Sequence, residues 1–68
     1  MDWKEVSKFA IKNGSKLVGG LLSGNLASEV GNIVSNALGV ENNPSKVLEQ
    51  LKSNPDSFLK LKEIETSH

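Results

Sequence analysis

Two Asn-Pro pairs divide the C-terminal third of the sequence. Asn43-Pro44 and Asn54-Pro55 lie 11 residues apart, and each is followed at the same distance by two apolar residues. An Asn in this position accepts hydrogen bonds from the first amides of a helix, and Pro suits the first helical position because its φ is already helical. The repeat predicts helices at about residues 44 to 52 and 55 to 65, folded back as a hairpin at Ser53-Asn54.

The N-terminus shows its own helix signals. Asp2 followed by Glu5 is a capping-box pattern, with Asp in place of Ser or Thr. Gly14 is suited to a left-handed helix end. A first helix is therefore predicted at about residues 3 to 12, with Trp3 and Phe9 on its apolar side.

The clearest helical periodicity begins after Asn25, a good N-cap residue. Counted from Leu26, apolar residues recur at offsets 0, 4, 7, 8, 11 and 12. Gly39 is predicted to stop this helix, with Val40 making the hydrophobic contact of a Schellman ending.

Residues 15 to 24 are ambiguous, because each of their three glycines costs a helix about 1 kcal/mol relative to Ala. The spacing of Gly20 with Gly24, and of Gly19 with Ser23, allows two helices to approach closely. Close packing within the domain is the favoured interpretation, and contact with another helix is the alternative.

The predicted fold is all-α, a small bundle of four to five short helices. Residues 1–40 are expected to form an amphipathic, Gly/Ser-rich region and residues 41–68 the Asn-Pro-capped hairpin, within one domain. A 68-residue chain without cysteine has only packing to hold it, so marginal stability is expected. The predicted core comprises Val6, Phe9, Leu26, Val30, Ile33, Val34, Leu38, Val47, Leu48, Leu51, Phe58, Leu61 and Ile64.

Catalysis and metal binding need titratable side chains that converge on one site, and the sequence shows no such cluster. There is no Cys, the single His is residue 68, and the acidic residues are scattered. Glu65 and His68 would supply at most two metal ligands at the chain end. We expect no enzyme activity, no catalytic residue, no metal, no cofactor and no small-molecule substrate.

The charge pattern disfavours nucleic acid as a partner, because the net charge is zero and Arg is absent. Lys4, Lys8, Lys12 and Lys16 recur at four-residue spacing. This row is interpreted as a solvated helix face, with peripheral contact to acidic lipid headgroups or phosphates as the alternative. The N-terminus lacks a basic region and the apolar run from Leu17 to Leu22 is broken by two glycines, so no signal peptide is predicted. Polar residues interrupt the apolar stretch between residues 17 and 40, so no transmembrane span is predicted.

Several short motifs occur in a characteristic order. They are the opening Met-Asp-Trp-Lys, a middle rich in Gly, Leu, Ala and Ser, the ending Ala37-Leu38-Gly39-Val40, the two Asn-Pro units and the charged segment 59–65. Together they resemble the N-terminal region of phage and gene-transfer-agent holin-like proteins with three transmembrane segments. The resemblance covers nearly the whole chain. It implies a cytosolic regulatory or oligomerising part of a lysis or release protein, at the inner-membrane face of the bacterial host.

In that family a charged helix and hydrophobic spans follow this region, whereas this sequence ends at His68. The resemblance therefore leaves two interpretations: a piece of a longer membrane protein, or a phage protein that uses the module elsewhere. The alternative function is a small virion structural or assembly protein that binds other capsid, tail or internal proteins.

Self-association, or docking onto other phage proteins, is predicted because one short chain can hardly cover two apolar surfaces. One surface is on the first helix and the other follows the stripe from Leu26 to Leu38. The predicted interface residues are Trp3, Phe9, Gly20, Gly24, Ala27, Val30, Gly31, Ile33 and Val34.

Overall fold

Five α-helices follow one another along the chain in a computed structural model, which describes residues 2–67. They are α1 (Trp3–Lys12), α2 (Lys16–Leu22), α3 (Ala27–Leu38), α4 (Pro44–Ser53) and α5 (Ser57–Thr66). No strand occurs among these described residues. The prediction of a small all-α bundle is confirmed.

Helix α1 has the predicted bounds, because a capping side chain begins it and a glycine with positive φ follows its end. The Asp2 carboxylate accepts hydrogen bonds from the amides of Lys4 (3.1 Å) and Glu5 (3.3 Å). After Asn13 the chain leaves the helix through Gly14, whose φ of 100° is accessible mainly to glycine.

The two Asn-Pro units make equivalent hydrogen bonds. The side-chain oxygen of Asn43 accepts from the Ser45 amide at 2.8 Å, and that of Asn54 accepts from the Asp56 amide at 3.1 Å. The predicted start of α4 at Pro44 is confirmed. Helix α5 begins two residues later than predicted, because residues 54–57 first form a tight turn with the Ser57 amide bonded to the Asn54 carbonyl at 2.9 Å.

The start of α3 differs from the prediction, and the assignment of Asn25 as its N-cap is wrong. The bond from the Val30 amide to the Leu26 carbonyl, 2.9 Å long, places Leu26 at the cap position. Asn25 instead lies in the preceding turn, which the bond from the Ala27 amide to the Gly24 carbonyl closes at 3.3 Å.

The end of α3 agrees with the prediction. Gly39 adopts the left-handed conformation with φ of 74°. The Val40 amide donates to the Ser35 carbonyl at 3.0 Å and the Gly39 amide to the Asn36 carbonyl at 3.3 Å. These two bonds define a Schellman ending.

The glycine-rich segment is helical, and its two adjacent glycines face opposite environments. A Cβ added at Gly19 would lie 2.5 Å from the Ile11 Cγ1 atom and 3.0 Å from the Ser7 carbonyl oxygen, whereas one at Gly20 would meet nothing within 4 Å. The buried Ser7 hydroxyl also donates to the Gly19 carbonyl at 2.6 Å. Gly19 therefore allows α1 and α2 to pack closely within the chain, as the favoured interpretation predicted.

One hydrophobic core draws on all five helices. Its buried apolar residues are Val6, Ala10, Val18, Leu22, Val30, Val34, Val47, Leu48, Leu51 and Leu61, with Trp3, Phe9, Leu21, Leu38, Val40, Phe58 and Ile64 packed around them. The placement of Leu26 and Ile33 in the core is wrong, because their side chains are exposed. Sequence reasoning also left Val18 and Leu22 out of the core, since both lie in the ambiguous segment.

The rotation of α3 about its axis explains why Ile33 is exposed. The helix turns the small residues Gly31 and Ser35 inward with Val34. The Trp3 ring fills the space above Gly31, where an added Cβ would lie 2.5 Å from the ring atom Cζ2. This contact directs Ile33 to the outside.

Candidate functional site

The nine predicted interface residues divide by burial. Val30, Gly31 and Val34 are buried, Trp3, Phe9 and Ala27 are half-buried, and Gly20, Gly24 and Ile33 are exposed. Trp3 and Gly31 contact each other within the chain. The buried members are thus already used in the interior, and a contact between chains would have to use the exposed ones.

The exposed members are Gly20 on α2, Ile33 on α3 and Gly24 in the turn between these two helices, which pack against each other. Leu17 of α2, Leu26 at the N-cap of α3 and Ile33 of α3 are 48%, 48% and 46% exposed. We call these three residues with Gly20 and Gly24 the α2–α3 face. Glu29 is the only charged residue between positions 17 and 40, so this stretch itself contributes little charge to the surface.

Sequence reasoning did not include Leu17 in the interface. Helical spacing contained the signal, since Leu17, Gly20 and Gly24 recur at intervals of three and four residues. Val18 and Leu22 occupy the opposite, buried side of α2. Because the sequence did not show whether this segment is helical, it did not separate an exposed side of α2 from a buried one.

A second surface feature is a groove between α1 and α4, which we call the lysine-rimmed groove. It has a volume of about 280 Å³ and is lined by Glu5, Lys8, Phe9, Lys12, Leu48 and Lys52. The Lys52 ammonium lies 5.8 Å from the centre of the Phe9 ring. The Phe9 ring also packs against the Phe58 ring, with 5.9 Å between the ring centres. This aromatic contact holds Phe9 in place in the wall of the groove.

The four lysines of the predicted row are all exposed, but only two of them line the groove. Lys4, Lys8, Lys12 and Lys16 are all exposed. Two of them, Lys8 and Lys12, border the groove. Lys52, which the row does not contain, joins them only because α4 packs on α1.

No metal-binding arrangement is found in the part of the chain that the structure describes. Groups of three or more His, Cys, Asp or Glu side chains close enough to hold an ion do not occur there. Of the candidate pair Glu65 and His68, His68 lies outside the described residues. Glu65 makes a structural contact instead, because its Oε2 accepts a hydrogen bond from the Val18 amide at 3.1 Å.

This contact compensates for a missing cap. Ser15, at the start of α2, makes no side-chain hydrogen bond to the helix. The half-buried carboxylate of Glu65, on α5, pairs with one amide of that first turn, the amide of Val18. A negative charge is favourable there, since the N-terminal end of a helix has a partial positive charge.

Comparisons with known proteins identify no relative of this chain. No family model matches it, and neither the curated proteins nor the solved structures give a significant match. Among the described helices, none combines the length and the apolar character that crossing a membrane requires.

Proposed function

We propose that this chain is a non-enzymatic helical module that self-associates through the α2–α3 face. The single observation behind this proposal is that Leu17, Leu26 and Ile33 are each nearly half exposed in a stretch with one charged residue. Exposed apolar surface with little charge is typical of surfaces that bind protein. The open side of Gly20 gives a partner room to approach the α2 backbone.

The energetics favour a weak, concentration-dependent association. Full burial of a Leu or Ile contributes about 1.5–3 kcal/mol, so covering the exposed halves of three such residues contributes about 2–4 kcal/mol per copy. Two copies together gain about 4–8 kcal/mol. Association itself costs about 4–15 kcal/mol or more, so this gain supports weak binding at most and high local concentration is needed to drive it.

Analytical ultracentrifugation over a range of concentrations tests the proposal. The unmodified chain should sediment increasingly as an oligomer, while Ile33→Lys should remain monomeric with an unchanged helical circular dichroism spectrum. Leu59→Lys is the matched control, because Leu59 is 65% exposed but lies on α5. A folded, concentration-independent monomer for the unmodified chain would exclude self-association.

We further propose that the module belongs to a holin-type phage lysis or release protein. The resemblance of its motifs in order, from Met-Asp-Trp-Lys to the two Asn-Pro units, supports this. Quantitative mass spectrometry of purified particles and of host membranes tests it. A lysis protein should be found with the membranes and be absent from particles, whereas a fixed copy number in particles would contradict the proposal in favour of a virion component.

A further inference from the structure

The lysine-rimmed groove combines an apolar wall with an excess of positive charge. Phe9 and Leu48 supply the apolar side chains, and three lysines against one glutamate line the same space. Within residues 2–67 the one ion pair is Lys60–Glu63, at 4.0 Å, so Lys8, Lys12 and Lys52 form no ion pair with Glu5, the one carboxylate that lines the groove. The Lys52 ammonium lies 5.8 Å from the Phe9 ring centre.

We propose that this groove binds an acidic amphipathic helix of a partner protein, with one apolar side chain inserted between α1 and α4. The inserted side chain would contact Phe9 and Leu48, and flanking carboxylates would pair with Lys8, Lys12 and Lys52. This inference goes beyond self-association because it uses a different surface and a different partner. Charge complementarity selects the partner, since the groove has an excess of positive charge.

The size and shape of the groove favour a peptide side chain over other ligands. Its volume of about 280 Å³ falls just below the roughly 300–1,000 Å³ of most small-molecule sites. The apolar side chains of the groove are those of Phe9, which is half-buried, and Leu48, which is buried. They therefore line a recess and do not protrude from the surface. A membrane surface would instead need apolar side chains that protrude into it.

An adjoining depression extends the groove along α4. It is lined by Ser45, Leu48, Glu49 and Lys52, and it shares Leu48 and Lys52 with the groove. Glu49 gives this extension a negative group as well as a positive one. Positive charge therefore predominates at the α1 side, near Lys8 and Lys12, where most of the partner's carboxylates would lie, and the remaining ones would pair with Lys52 on α4.

Titration of the isotopically labelled full chain with a peptide, followed by NMR, tests the proposal. The probe is a capped peptide of about 20 residues, long enough to be helical in water, built from Glu and Ala around one central Leu. Amide shifts should concentrate at residues 5–12 and 45–52. Peptides with Gln for Glu, or with Ala for the central Leu, should each bind at least about tenfold more weakly.

Matched variants separate a specific groove from general charge attraction. The pair Lys8→Glu and Lys52→Glu should weaken binding at least about tenfold, whereas Lys46→Glu with Lys62→Glu makes the same charge change outside the groove and should leave affinity within about twofold. Equal weakening by both pairs, or shifts concentrated on α2 and α3, would overturn the proposal. So would binding to vesicles containing anionic lipid without binding to the peptide, because that result would assign the lysines to a membrane surface.

Discussion

Gly19 lies at a close contact between α1 and α2. A methyl group there would meet the Ile11 side chain at 2.5 Å and the Ser7 carbonyl at 3.0 Å. The Ile11 side chain is partly exposed and can move, but the backbone carbonyl moves only if the helices separate. We expect Gly19→Ala to lower the free energy of unfolding by about 1–3 kcal/mol, measured by urea denaturation.

Gly20→Ala is the control for that experiment. An added methyl group at Gly20 meets nothing within 4 Å, so the higher helix propensity of Ala should stabilise the chain by about 0.5–1 kcal/mol. Equal effects of the two substitutions would show that the close contact at Gly19 is unimportant. The sequence alone could not separate these neighbours, because each belongs to a pair of small residues at four-residue spacing.

At the scale of whole elements, α2 depends on α5 for its cap. Glu65→Gln keeps the size of the side chain but removes the charge that faces the first turn of α2. We expect a loss of about 0.5–1 kcal/mol in the free energy of unfolding, measured by thermal and urea denaturation. Glu63→Gln is the control on the same helix, and its long, exposed contact to Lys60 should contribute almost nothing.

Helix ends were predictable where the signal is local. The ends at Asp2, Gly39 and Asn43 depend on side chains or backbone conformations within three residues of the helix. The cap from Glu65 joins residues 47 apart, and no local pattern contains it. Asn25 shows the opposite error: its residue type is suitable for a cap, but the tight turn at residues 24–27 moves the helix start beyond it.

For the molecule as a whole, one shared core means that a single buried charge should unfold every helix together. Val34 is fully buried, and Asp in its place would be an unpaired charge costing more than about 3 kcal/mol. That cost approaches the total stability expected for a core of this size, about 3–5 kcal/mol. We expect Val34→Asp to abolish the helical circular dichroism signal, while Ile33→Asp on the outside should leave the chain folded.

The core and the candidate surfaces were predictable only in part, because helical periodicity does not fix rotation about the helix axis. Both Val34 and Ile33 belong to the apolar pattern of α3, and packing of Trp3 on Gly31 decides which one is buried. The lysine-rimmed groove needs Lys52 beside Lys8, a proximity that only the packing of α4 on α1 creates.

The contact between Glu65 and Val18 also sets an order of events during synthesis. Ribosomes add about 5–20 residues per second, so the 47 residues from the one after Val18 to Glu65 take about 2–9 s to be added. Helices form and melt within about a microsecond. The first turn of α2 therefore opens and closes many times during translation, and it gains its lasting cap only when α5 arrives.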